Sequence, residues 1–341
     1  MRAVQGEGLF DLQVNGYAGV DFNDAALTAD RLDAALEAML ADGVTGCLPT
    51  LITATPADLR ARFAALDAAV RDSRLGRRMV PGYHLEGPFL NDADGYCGCH
   101  PASAMTDPDI ALVADIESTL SRPILLVTLA PERAGGVAAV RHWADAGKTV
   151  AVGHSAAGFA CIRAAADAGL SLSTHLGNGL PQTMPKLDNT LLAQLAEPRL
   201  TACLIADGLH IPPEALRALI ALKGPDRCVL VTDAVLAAGM PPGPYRFAGM
   251  AATLQPDGRV TPESGIGLAG SALRLDQAVR NLVDWSITDP AQAAAMAGPA
   301  ARAVLARSFA RFGIRCEPGR VTWSADLRPE VTQMPDLLHN Q

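Results

Sequence analysis

Short apolar runs alternate with stretches of helical periodicity along most of this chain. The first run, Leu9-Phe-Asp-Leu-Gln-Val14, stops at the turn signal Asn15-Gly16. Seven more follow, at 46–52, 78–85, 122–129, 149–152, 170–174, 201–205 and 227–231. Between them a 3.6-residue spacing predicts helices over 29–41, 56–73, 109–120, 136–146, 158–168, 189–196 and 213–222. Thr28 is the candidate N-cap of the first helix, and Pro56 stands in the first turn of the second. Eight strands, each followed by a loop or helix, is the count of an α/β TIM barrel. A doubly wound sheet would instead place a Gly-rich phosphate loop after the first strand. Asn15-Gly-Tyr-Ala-Gly19 lacks that spacing.

Past the eighth run, 245–262 reads as a hairpin insert with Asp257-Gly258 at its turn. Helices over 272–285 and 289–307 complete a barrel domain spanning 1–310. The tail, 311–341, predicts a strand or two. The irregular stretch 91–106 is long for a connection in a compact enzyme, which suggests a lid or substrate loop.

Composition narrows the function. Hydrophobic residues are 49% of the 341, but aromatics only 4%, so the core is built from Ala, Leu and Val. The net charge of −8, without a long run of either sign, argues against nucleic acid and against an anionic membrane surface. A small anionic substrate needs only one local positive spot. No 18-residue apolar run predicts a membrane span, and the N-terminus shows no signal-peptide core. Seven scattered cysteines are not a disulfide framework and fit a reducing cytoplasm. Cys97-Gly-Cys99 lacks zinc-site spacing and reads as two loop cysteines.

Four apolar runs end in groups suited to chemistry: Glu86, His154, His175 and Asp233. In a barrel the C-terminal strand ends converge on one site. A carboxylate and two imidazoles suit a divalent cation such as zinc, with a position open for water. Asp233 would take a proton from that water and pass it to the leaving group. A lone histidine at a strand end is more often a hydrogen-bonded structural residue, and His142 reads that way. Four such endings together favour metal-assisted hydrolysis.

Seven motifs, in order, resemble the amidohydrolase superfamily and its N-acetylglucosamine-6-phosphate deacetylase family. They are Asp11-Leu-Gln-Val-Asn-Gly16, His84-Leu-Glu-Gly-Pro-Phe89, Gly153-His-Ser155, Thr174-His-Leu-Gly-Asn178, Ala206-Asp-Gly-Leu-His210, Val231-Thr-Asp-Ala234 and Leu268-Ala-Gly-Ser271. The resemblance implies that Glu86, His154 and His175 hold the metal and that Asp233 is the catalytic acid/base. It implies substrate contacts from Cys99, His100, Asn178, the Gly179 backbone N–H, Asp207 and His210, with Leu268, Ala269 and Gly270 lining an acetyl pocket. A homodimer is implied as well, because the family's phosphate-binding arginine comes from a neighbouring subunit. Lys186 stands at that position here; its other reading is a solvated loop lysine.

Two further departures matter. Most amidohydrolases carry His-x-His after the first strand, where this chain has Gln13 and Asn15. Neutral amides are poor ligands for a transition metal, so one ion per subunit is expected: Zn2+, with Fe2+, Co2+ or Mn2+ as alternatives. The family's small β-sandwich is expected to be absent or vestigial, since the first barrel strand begins near residue 9. The expected reaction is deacetylation of N-acetylglucosamine 6-phosphate. Rival readings are another N-acyl amino sugar, such as N-acetylgalactosamine 6-phosphate or an unphosphorylated sugar, and a non-catalytic sugar-binding barrel.

Overall fold

The computed structural model describes residues 4–265 and 267–339. Its centre is an eight-stranded parallel sheet: Leu9–Val14, Val44–Ile52, Tyr83–Glu86, Ile124–Leu129, Thr149–Val152, Leu172–Ser173, Thr201–Leu204 and Cys228–Leu230. Each strand pairs with the next in chain order. The two edges meet through the Val14–Ala234 bridge, the Asp233 N–H donating to Gln13 O at 2.9 Å and the Asn15 N–H to Ala234 O at 2.7 Å. This is the TIM barrel that the strand count predicts. Nearly every strand residue is buried on both faces, as expected where helices cover the outside of a parallel sheet.

The helices follow their sequence signals closely. Ala29–Ala41 is capped by Thr28, whose hydroxyl accepts from the Arg31 N–H, and Pro56–Asp72 starts on its proline. Asp109 and Asn189 cap the helices Ile110–Glu117 and Thr190–Ala196 in the same way.

Four expectations are corrected. The third strand begins at Tyr83, because 76–79 instead forms a helical turn with the Met79 N–H donating to Leu75 O. The last helix is three pieces, Pro290–Ala297, Pro299–Val304 and Ala306–Arg311, since Gly298 leaves helical geometry just before a proline. The hairpin over 245–262 is a three-stranded sheet: Gly243–Phe247, Met250–Leu254 and Val260–Pro262. Asp257-Gly258 lies in its second turn; the first is Ala248-Gly249, both at positive φ.

The chain ends differ most. The tail carries four strands, Ile314–Glu317, Arg320–Trp323, Pro329–Gln333 and Asp336–His339. Val4–Glu7 joins them by pairing antiparallel with Arg320–Trp323. Val4–Glu7 therefore belongs to a small terminal sheet. Val321 and Trp323 pack into the main core, and Arg302 ties the junction by donating to Gly8 O and Thr45 Oγ1.

Candidate active site

Glu86 ends the third strand, and His154 and His175 follow the fifth and sixth. Their side chains meet. His175 Nε2 lies 2.9 Å from Glu86 Oε1 and 3.1 Å from His154 Nε2, and His154 Nε2 is 3.6 Å from the same carboxylate oxygen. All the offered ligand atoms fall within 4.8 Å of one another, and all three residues are buried. Two imidazole nitrogens this close, facing one carboxylate, need a shared cation or proton between them. The donor set is borderline N/O, which suits a divalent transition metal. Burial alone would make Glu86 neutral, but its hydrogen bonds from His154 and His175 prevail and hold the carboxyl well below the usual range.

His154 is seated from both sides. Its Nδ1 bonds Tyr96 O at 2.6 Å, which fixes Nε2 toward the cluster. Gly98 and Gly179 flank the ring. A Cβ at Gly179 would stand 2.6 Å from Nδ1, so only glycine lets this backbone approach. The Asn178 N–H and Nδ2 both bond His175 O, at 2.9 and 3.1 Å.

Asp233 completes the group from across the barrel seam. Gln13 Nε2 donates to Asp233 Oδ1 at 3.1 Å and to Glu86 Oε2 at 3.0 Å. Asn15 Nδ2 donates to the same Asp233 oxygen at 2.7 Å. Both bonds fall on Oδ1, and none is described for Oδ2. Burial, with the Glu86 charge beside it, pushes Asp233 up to about 6. The Gln13 and Asn15 amides thus occupy the ground that a second pair of histidines would need.

The remaining candidates arrange themselves around this centre. His100 is buried, with Nδ1 2.9 Å from Thr53 Oγ1 and Nε2 3.9 Å from Glu86 Oε2; burial lowers it to about 3, so the ring is neutral. Asp207 receives the Leu209 and His210 N–H groups at 2.8 Å and pairs with His210 Nδ1 at 2.6 Å. Ala269 and Gly270 lie behind Asp233, where the Ser271 N–H donates to Asp233 O at 3.0 Å. Leu268 and Cys99 border an adjoining cavity. Lys186 is exposed on its loop, and no contact described for it reaches the cluster.

Comparison with known proteins settles the family. No family model matches the chain. The N-acetylgalactosamine-6-phosphate deacetylase of Escherichia coli is 35% identical over 287 residues, covering 84% of this chain and 74% of that protein. The N-acetylglucosamine-6-phosphate deacetylase of Vibrio furnissii is 33% identical over 278 residues, 82% of this chain and 68% of the relative. This chain belongs to the N-acetylglucosamine-6-phosphate deacetylase family. A solved N-acetyl-D-glucosamine-6-phosphate deacetylase from Mycobacterium smegmatis matches at TM-score 0.85 and 29% identity, covering 98% of this chain and 88% of that one. Like the deacetylases of its family, the chain is an enzyme that hydrolyses amide bonds.

Several supports of this deacetylase site carry no sequence signal. Tyr96 acts through its carbonyl, which any residue would supply. Thr53 orients His100 from a strand end that ends in no ionisable group. His84 lies deeper in the barrel, bonded by Thr50 and Thr128, with Thr174 bonded in turn to Thr128. Burial lowers His84 to about 4, so this layer under the site is uncharged. Asp11 is wholly buried and accepts the Thr232 hydroxyl at 2.6 Å, immediately before Asp233. The position was visible in its motif, but its partner across the seam was not.

Proposed function

We propose that this enzyme removes the N-acetyl group of N-acetylglucosamine 6-phosphate, giving glucosamine 6-phosphate and acetate. The observation that carries the reading is the carboxylate of Asp233, joined through Gln13 to the Glu86–His154–His175 cluster at the mouth of the barrel. A cation-binding site alone would need no such acid/base group. Glu86, His154 and His175 would hold one divalent ion, which we take to be zinc. An ion there supplies Lewis acidity, polarising the amide carbonyl and lowering the pKa of water.

The chain's own groups do the rest. Asp233 Oδ2 takes the proton of the attacking water and returns it to the amine as the C–N bond breaks, so no net proton is left on the enzyme. Gln13 and Asn15 hold that carboxylate in place. His100 faces the substrate as a neutral ring. Asn178, the Gly179 N–H and the Asp207–His210 pair bind the sugar phosphate, and Leu268, Ala269 and Gly270 line the acyl side. Lys186 serves the phosphate of a neighbouring subunit in a homodimer, in the cytoplasm.

The test is amine release from N-acetylglucosamine 6-phosphate by purified enzyme, before and after chelation and after zinc is restored. Metal-dependent release is expected; none under any of the three conditions would remove the reading. The 35% identity to an N-acetylgalactosamine-6-phosphate deacetylase supports a second substrate, the C4 epimer. Comparing kcat/KM for the two sugars decides between them.

A further inference from the structure

Beside the catalytic cluster lies a cavity of about 200 Å³. Its walls include Cys99, Phe247, Met250, Ala252, Leu268 and Ala269, from the 91–106 loop, the inserted sheet and the segment behind Asp233, with Ser264 at an exposed edge. No charged side chain lines it among the described residues. Burial pushes the Cys99 thiol up to about 12, so that wall is neutral too. The acyl side assigned above to Leu268, Ala269 and Gly270 opens on this cavity, and we propose that the enzyme accepts N-acyl groups longer than acetyl, up to about four carbons.

The placement follows from what borders the cavity. The Gly98-Cys99 wall continues into the flank of the His154 ring, and a Cβ at Gly98 would stand 3.0 Å from His154 Cε1. The Ala269 wall continues into Gly270, where a Cβ would stand 3.1 Å from the backbone carbonyl of Asp233, and the Cys99 wall feels the charges of the Asp233 and Glu86 carboxylates. A scissile amide held between His154 and Asp233 therefore has this space on one side. The sugar-binding candidates Asn178, Gly179 and His210 do not line it, so the sugar leaves the cavity free. An acetyl group contributes one methyl, which fills roughly the 30 Å³ of a water molecule. Most of the volume would be left to water, and burying a longer chain against these mostly apolar walls favours it by roughly fourfold per methylene. The chemistry is unchanged: the amide C–N bond breaks, water's oxygen joins the acyl carbon, and the free amine leaves with the proton.

This inference rests on the deacylase reading, and the experiment separates the two. With zinc-loaded enzyme, kcat/KM is measured for the N-acetyl, N-propionyl and N-butyryl derivatives of glucosamine 6-phosphate. A butyryl value equal to or above the acetyl value is expected. A lower one overturns the acyl proposal while leaving deacetylation in place. No turnover of any of the three would remove the deacylase reading itself, and this proposal with it. Ala252→Leu adds three carbons to the cavity wall and should lower the butyryl-to-acetyl ratio about tenfold. Met250→Ala widens it and should raise the ratio. If Ala252→Leu does not fold, Met250→Ala decides alone. An unmoved ratio in folded variants places the acyl chain elsewhere and overturns the proposal.

Discussion

His154, His175 and Asp233 share an uncommon backbone state, with φ of 50°, 30° and 50°. Each such residue costs on the order of 1–3 kcal/mol, and the strain is kept where it aims a group at a site. Left-handed backbone is tolerated best by Gly, Asn and Asp. Asp233→Asn should therefore fold and keep its metal while kcat drops roughly 10²- to 10⁴-fold, the usual worth of a general acid/base. Near-normal turnover in that variant would sink the role assigned to Asp233. Because Gln13 bridges Asp233 and Glu86 where another ligand would sit, elemental analysis should find one metal per chain and not two. These residues were legible in the sequence because a polar group ending an apolar run has no packing role. Their supports were not. Thr53 and the Tyr96 carbonyl gain meaning only when distant loops meet.

At the scale of elements, periodicity and capping residues located the helices, and turns caused the errors. Ala248-Gly249 is a two-residue turn with positive φ at both positions, the type I′ geometry that sequence reading expects from Asn-Gly or Asp-Gly. Alanine there gives no warning, so one strand of the insert went unseen. What stabilises the turn lies far away in sequence. Asp21 Oδ2 accepts the Ala248 N–H at 2.7 Å, and Arg62 Nη2 donates to Ala248 O at 3.2 Å. Asp21→Ala should loosen the insert without unfolding the barrel. Limited proteolysis within 243–262 should rise several-fold with the main melting transition nearly unmoved; unchanged cleavage would mean the turn holds without this pin.

For the molecule as a whole, the buried Asp11 couples stability to pH. Burial raises its carboxyl from 3.8 to about 7. Between those values the folded state holds a proton that the unfolded chain has released. Stability from this group is therefore greatest at low pH and falls as pH rises from about 4 to 7, by up to roughly 4 kcal/mol. Asp11→Asn keeps an acceptor for Thr232 but cannot titrate. Urea midpoints at pH 5 and pH 8 should differ less in the variant than in the parent, and equal differences would contradict this account. The barrel itself was readable from eight strand signals. The terminal sheet was readable only as a strand or two in the tail, because Val4–Glu7 finds its partner, Arg320–Trp323, at the opposite end of the chain.

That same distance between partners predicts an order of assembly for the enzyme. Glu86 and His175 are 89 positions apart and belong to one unbroken run of neighbouring strands. Asp233 meets Gln13 across 220 positions, and only when the first strand joins the eighth. An open ribbon of strands could already grip a metal, but the proton transfer proposed for Asp233 would wait until the seam forms. During refolding in the presence of zinc, protection of the ion from a chromogenic chelator should precede the return of turnover. The lag between the two would time the moment the cylinder closes.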